Sequence, residues 1–148
     1  MRADVSVVVG GLLAVIFLTG GLAAAGQPPT PEEQLRDAAI RIDRAATALG
    51  EAETVTRLAA AFKVSSRAIT GLHDEKLDFG EVAMVLALAE ASKTKPEAIL
   101  SLWATDRLSW SEIGERNKVN RQALLKRLDG VRRALARSPA PKAGSPAR

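Results

Sequence analysis

The segment Leu77-Asp78-Phe79-Gly80-Glu81-Val82-Ala83 returns about thirty residues later as Leu108-Ser109-Trp110-Ser111-Glu112-Ile113-Gly114, a spacing at which one copy is a helix pair. Each copy holds a leucine, a capping residue, an aromatic, a small residue, a glutamate and a β-branched apolar residue. The same offset pairs Ile69 with Leu100, Leu72 with Trp103 and Lys76 with Arg107. Two copies and a weaker half-copy are few for an open solenoid, whose units bury their apolar faces only against neighbours. They predict an all-α fold, a compact bundle of short helices built from helix-turn-helix-like repeats.

Local signals place the helices. Thr30-Pro31-Glu32-Glu33 sets a hydroxyl cap, a first-turn proline and a glutamate three residues after the cap. Leu35, Ala39, Ile42, Ala46 and Leu49 then recur at steps of three and four, one apolar stripe, and Gly50 ends it. A second helix carries Val55, Leu58, Ala59 and Phe62, and a turn at Val64-Ser65-Ser66 leads into Ala68, Ile69 and Leu72. Further helices are expected over 78–92, after Thr94-Lys95-Pro96-Glu97, over 109–117, and from Arg121 to about Arg137. Glu81 and Glu112 each follow a cap by three residues, the spacing at which a carboxylate reaches back to the cap's N–H. That assigns them to capping rather than to acid–base chemistry. Phe79 and Trp110, beside the caps, anchor the helix starts in the core.

The chain is also divided by charge. Between Asp4 and Glu32 it carries none. Arg2, an apolar run through Leu12–Leu18, and the small residues Ala23-Ala24-Ala25-Gly26 have the layout of a secretory signal peptide. Residues 1–25 are therefore expected to be a cleaved signal, with an uncleaved membrane anchor as the alternative, since about 20 apolar residues span a bilayer. Residues 26–29 form a stiff linker. A helical domain over 30–137 follows, with repeat units near 77–107 and 108–137, and 138–148 is a Pro-rich basic tail with nothing to bury, expected to be disordered. The expected location is periplasmic or secreted, or outside the cytoplasm on an anchor.

There is no cysteine in the 148 residues. An exported fold must then rest on packing alone, without disulfides or thiolate metal sites. His73, Asp74, Glu75 and Asp78 are the densest set of metal-ligating types, but the matching loop Ala104-Thr105-Asp106-Arg107 lacks the histidine and one acid. A solvated loop is the better reading. With one histidine, the ordinary nucleophile–base sets are almost unavailable. No catalytic residue, metal or cofactor is expected, and the chain is read as a non-enzyme.

The basic residues carry more. After Glu115, only Asp129 opposes Arg116, Lys118, Arg121, Lys126, Arg127, Arg132, Arg133, Arg137, Lys142 and Arg148. Such asymmetry suits an anionic partner, and Arg121, Lys126, Arg127, Arg132, Arg133 and Arg137 are the candidate contacts. The run from Trp110 to Leu124 resembles the bacterial helix-turn-helix, with Ile113, Val119 and Leu124 as core positions and Gly114 at the helix crossing. That resemblance implies a reading helix offering Asn120, Arg121, Gln122, Lys126 and Arg127 to phosphates and base edges. Lys118 stands where the motif usually has glycine. The earlier copy, Phe79-Gly80-Glu81-Val82-Ala83, resembles segments of small exported bacterial helical proteins, a likeness that implies no activity.

The expected function is that of an exported binding module of the cell envelope, whose partner is a protein or an anionic envelope polymer or lipid. The alternative is a helix-turn-helix DNA-binding protein whose leader goes unused. Membrane contact is expected only if the leader is retained.

Overall fold

The computed structural model describes residues 26–137; the expected leader, 1–25, and the expected tail, 138–148, lie outside the described residues. Seven helices and no strand are found among the described residues: α1 (Pro31–Leu49), α2 (Glu51–Phe62), α3 (Ser66–Asp74), α4 (Phe79–Ser92), α5 (Pro96–Ala104), α6 (Trp110–Arg116) and α7 (Arg121–Ala136). The all-α bundle read from the sequence is the observed fold.

The helices begin where short polar residues can hold their unpaired amides. Thr30 Oγ1 accepts the Glu33 N–H at 3.2 Å while Glu33 accepts the Thr30 N–H. Ser65 and Asn120 accept from Ala68 and Ala123. Glu81 and Glu112 accept the N–H of Asp78 and Ser109 at 3.1 and 2.8 Å. Pro96 occupies the first turn of α5 after the cap residue Lys95.

One turn is used three times. After α2, α4 and α6 the backbone enters the left-handed region at Lys63, Lys93 and Lys118, each with φ of 55°. The next residue's N–H then returns to a carbonyl five positions back: Val64 to Ala59, Thr94 to Ala89, Val119 to Gly114. Lys76 and Arg107, in the middle of the connections before α4 and α6, also have positive φ. Left-handed backbone costs a residue with a Cβ roughly 1–2 kcal/mol. All five such positions among the described residues are cations, a charge that favours a helix C-terminus and offsets part of that cost.

The core forms around α4. Val82 through Ala89 are buried on every side of the helix, as an all-apolar stretch must be. Leu35, Ile42, Leu58, Ile69, Ile99, Ile113, Leu128 and Leu135 close over it from the other six helices. α7 runs alongside α1 in the same direction: Pro31 and Leu35 lie by Arg121 and Leu124, and Arg41 lies by Asp129 and Arg132. The repeated sequence therefore does not give two equivalent units. Past the shared helix start, α4 continues with Val85, Leu86 and Ala87, whereas the aligned positions of α6 are Arg116, Asn117 and Lys118. α6 stops there, and α4 goes on to become the centre.

Candidate functional site

The six candidate cations, five on α7 and Arg137 just after it, separate into three groups. Arg127 is built into the fold. Its Nε donates to Glu90 at 2.8 Å, Nη2 donates to the Ala61 carbonyl at 2.9 Å, and the guanidinium lies 4.7 Å from the Phe62 ring centre. It thus fastens α7 to the end of α2 and to α4. Arg132 and Arg133 both pair with Asp129 at 2.8 Å, and the Arg132 hydrogen bond, with the charge of both guanidiniums, holds the Asp129 carboxyl below its ordinary range. Arg121, Lys126 and Arg137 are exposed, and among the described residues none of them forms an ion pair. The Arg137 carbonyl accepts from Arg57, which also donates to the Leu135 carbonyl at 2.8 Å and so ties α2 to the end of α7.

The helix-turn-helix resemblance meets a specific geometry at α6 and α7. Ile113 and Leu124 are fully buried, and Val119 packs against the same core. Gly114 is buried, yet a Cβ there would meet only Leu88 at an ordinary 3.9 Å. Asn120, Arg121 and Gln122 are exposed. The N-terminus of α6, where such a motif approaches the nucleic-acid backbone, is already held by a carboxylate: Glu32 of α1 accepts the Ser111 N–H at 2.9 Å.

His73 is held in place by its own loop. Its Nδ1 lies 2.7 Å from the Leu77 carbonyl, and its ring stacks on Phe79 at 4.3 Å. The described residues bring together no group of three or more His, Asp or Glu side chains able to hold a metal ion.

A feature not anticipated from the sequence lies where the two repeated helix starts meet α1. Trp103 and Trp110 stack nearly parallel, 5.4 Å apart. With Ile40, Asp43, Asp78 and Glu81 they line a cleft of about 280 Å³. Trp110 is 4% exposed, whereas Ile40, at 46%, is the one large apolar side chain left open among the described residues. Burial pushes the Asp43 and Glu81 carboxyls above their ordinary range, and Asp78 adds repulsion to both. Arg36 lies on the cleft edge but pairs with Glu32 at 2.8 Å. No protein-family model, no curated protein and no solved structure matches this chain. Its site must be read from its own geometry.

In the sequence, only the repeat pointed this way. It placed Trp110 and Phe79 at equivalent helix starts, and it paired Trp103 with Leu72. It carried no sign that Asp43 of α1, three helices before α4, would face the same space.

Proposed function

We propose that the chain is an exported, non-enzymatic binding module of the cell envelope that meets an anionic partner, a protein face or an envelope polymer or lipid, through α7. The observation that carries this reading is the exposure of Arg121 and Lys126 just beyond the Lys118 turn, while Arg127 is engaged internally. Arg137 adds a further exposed charge at the far end of the helix. The contact surface is therefore the subset Arg121, Lys126 and Arg137, with Arg132 and Arg133 tempered by Asp129. The leader-like run over 1–25 supports export; among the described residues no helix is long and apolar enough to cross a membrane.

The test has two parts. Fractionation of cells expressing the full chain, with N-terminal sequencing of the product, reads export directly. Recovery of the intact chain in the cytosol would overturn it. Retention on heparin and on anionic liposomes reads the surface: an Arg121→Ala/Lys126→Ala variant should elute at lower salt, and binding should fade towards 1 M salt, where screening reaches about 3 Å. Unchanged retention would remove α7 as the contact.

The second reading, a DNA-binding helix-turn-helix, draws support from the exposed Asn120, Arg121 and Gln122 at the start of α7. Against it stand Glu32 and Glu112 at the α6 N-terminus, which would face a phosphate backbone with like charge. Sequence-selective retention on duplex DNA over heparin would favour it.

A further inference from the structure

We propose that the cleft between α1, the start of α4 and the Trp103–Trp110 stack binds a small organic cation: a primary ammonium on a short carbon chain. Four independent features converge on this chemistry. The cleft holds about 280 Å³, just under the usual range for drug-sized ligands, which begins near 300 Å³. Its walls include the stacked indoles of Trp103 and Trp110, aromatic surface that favours both a carbon chain and a cation. Ile40 stands open on the rim although every other large apolar side chain among the described residues is at least partly covered. Finally, Asp43, Asp78 and Glu81 line it without an ion-pair partner among the described residues.

The charge balance decides the sign of the ligand. The one cation lining the cleft, Arg36, pairs with Glu32 and acts on Glu81 only as a secondary influence. His73 acts weakly on Asp43, so three carboxylates face the space against one guanidinium that a fourth acid already shares. The fold uses these carboxylates only in part: Asp43 accepts from Gly80 and Glu81 from the Asp78 N–H. Each retains acceptor capacity beyond that one bond. Burial disfavours the charged form of Asp43 and Glu81, and an arriving ammonium offsets that cost by placing an opposite charge beside them. A ligand with a charged head and an apolar stem satisfies both halves of the cleft; an anion or a neutral alcohol satisfies one at most. No residue of α7 lines the cleft, so this inference and the anionic-partner reading rest on different side chains and stand or fall separately.

The experiment is a titration of the full chain with n-butylamine, 1,4-diaminobutane and Nα-acetyl-lysine methylamide, followed by tryptophan fluorescence and calorimetry at constant ionic strength. Saturable binding of at least one is expected. Preference for the free amines identifies a small-molecule ligand; preference for the lysine derivative identifies a lysine side chain. n-Butanol and potassium chloride at equal concentration should give no saturable signal. Asp43→Asn/Asp78→Asn should weaken ammonium binding at least tenfold. Asn remains a good helix cap and hydrogen-bond acceptor, and an unchanged helical spectrum checks the fold. Ile40→Lys, at an exposed position, should abolish binding while leaving the fold intact. Equal binding of n-butanol, no saturation by any of the three amines, or full affinity in both variants would overturn the proposal.

Discussion

Asp43 of α1 accepts the backbone N–H of Gly80 at 2.6 Å, and this bond sets how α1 meets the central helix. Gly80 is the second residue of α4, so its amide has no partner within the helix. Eleven residues earlier on α1, Glu32 accepts the Ser111 N–H at 2.9 Å, and Ser111 is the second residue of α6. Eleven residues make about three turns of helix, so the two carboxylates rise from nearly the same side of α1. One helix thereby supplies a negative charge to the positive ends of two others. The sequence repeat at 77–83 and 108–114 thus marks two equivalent docking points on a common spine, whatever the helices do beyond them.

Gly80→Ala is expected to destabilise the protein by about 3 kcal/mol. A Cβ at residue 80 would press on the Ala39 carbonyl oxygen and lie 2.7 Å from both the Ala39 carbonyl carbon and Asp43 Oδ2. Backbone cannot step aside as a flexible side chain can. Gly130→Ala on α7 provides the reverse case: nothing lies within 4 Å of the added carbon, and relief of the glycine penalty should stabilise by about 0.5–1 kcal/mol. Urea unfolding of both variants checks the opposite signs.

Much of this arrangement was legible in the residues. Helix ends could be read because Thr30, Ser65, Asp78, Ser109 and Asn120 announce themselves by local chemistry, which needs no knowledge of distant contacts. The central place of α4 was less apparent: its apolar run fits burial but does not say which helices surround it. The cleft was not legible at all. Asp43 looks like one more polar residue on the open side of an amphipathic helix, and only the crossing at Gly80 turns it inward. The internal engagement of Arg127 was not legible for the same reason: its charge pattern matches that of Lys126, but the Phe62 ring and the Ala61 carbonyl that engage it lie more than sixty residues earlier.

Lys118→Gly should raise stability by about 0.5 kcal/mol, and by more in concentrated salt. Glycine relieves the left-handed backbone, a gain of roughly 1–2 kcal/mol, against an unfolded-state entropy cost of about 0.5–1 kcal/mol. It also removes a cation from the end of α6, an attraction that salt weakens in any case. Chemical denaturation at low and high ionic strength should show the advantage of the glycine growing with salt. A loss of stability at 1 M salt would show that the lysine side chain does more than tolerate the turn.

Arg127→Ala and Lys126→Ala should behave differently although the residues are neighbours. Arg127→Ala removes the bond to Ala61, the contact over Phe62 and the pair with Glu90, and should cost about 1–3 kcal/mol. Lys126 is exposed; its replacement should change stability by less than about 0.5 kcal/mol. Retention on heparin should respond in the opposite order, with Lys126→Ala the more damaging. Thermal unfolding paired with salt-gradient elution separates the two roles.

Asp43→Asn tests the buried acids through pH. Burial raises the Asp43 carboxyl above its ordinary range, more than the Gly80 bond lowers it. The folded chain consequently holds a proton at pH values where the unfolded chain has released one. Stability contributed by this group is fully present below the unfolded carboxylate range, about pH 4, and is lost as pH rises through the raised folded value. Glu33, Glu112 and Asp129, lowered by their hydrogen bonds, act in the other direction and lose their contribution as pH falls. Asparagine keeps an oxygen for the Gly80 N–H but cannot ionise, so it removes only the first trend. The variant minus wild-type stability should therefore become more positive between pH 4 and pH 7. Asp43→Ala, which leaves the Gly80 amide without its acceptor, should instead cost about 2 kcal/mol. Urea titrations at the two pH values decide it: a difference for Asp43→Asn that stays constant would mean the Asp43 carboxyl is not raised in the folded protein.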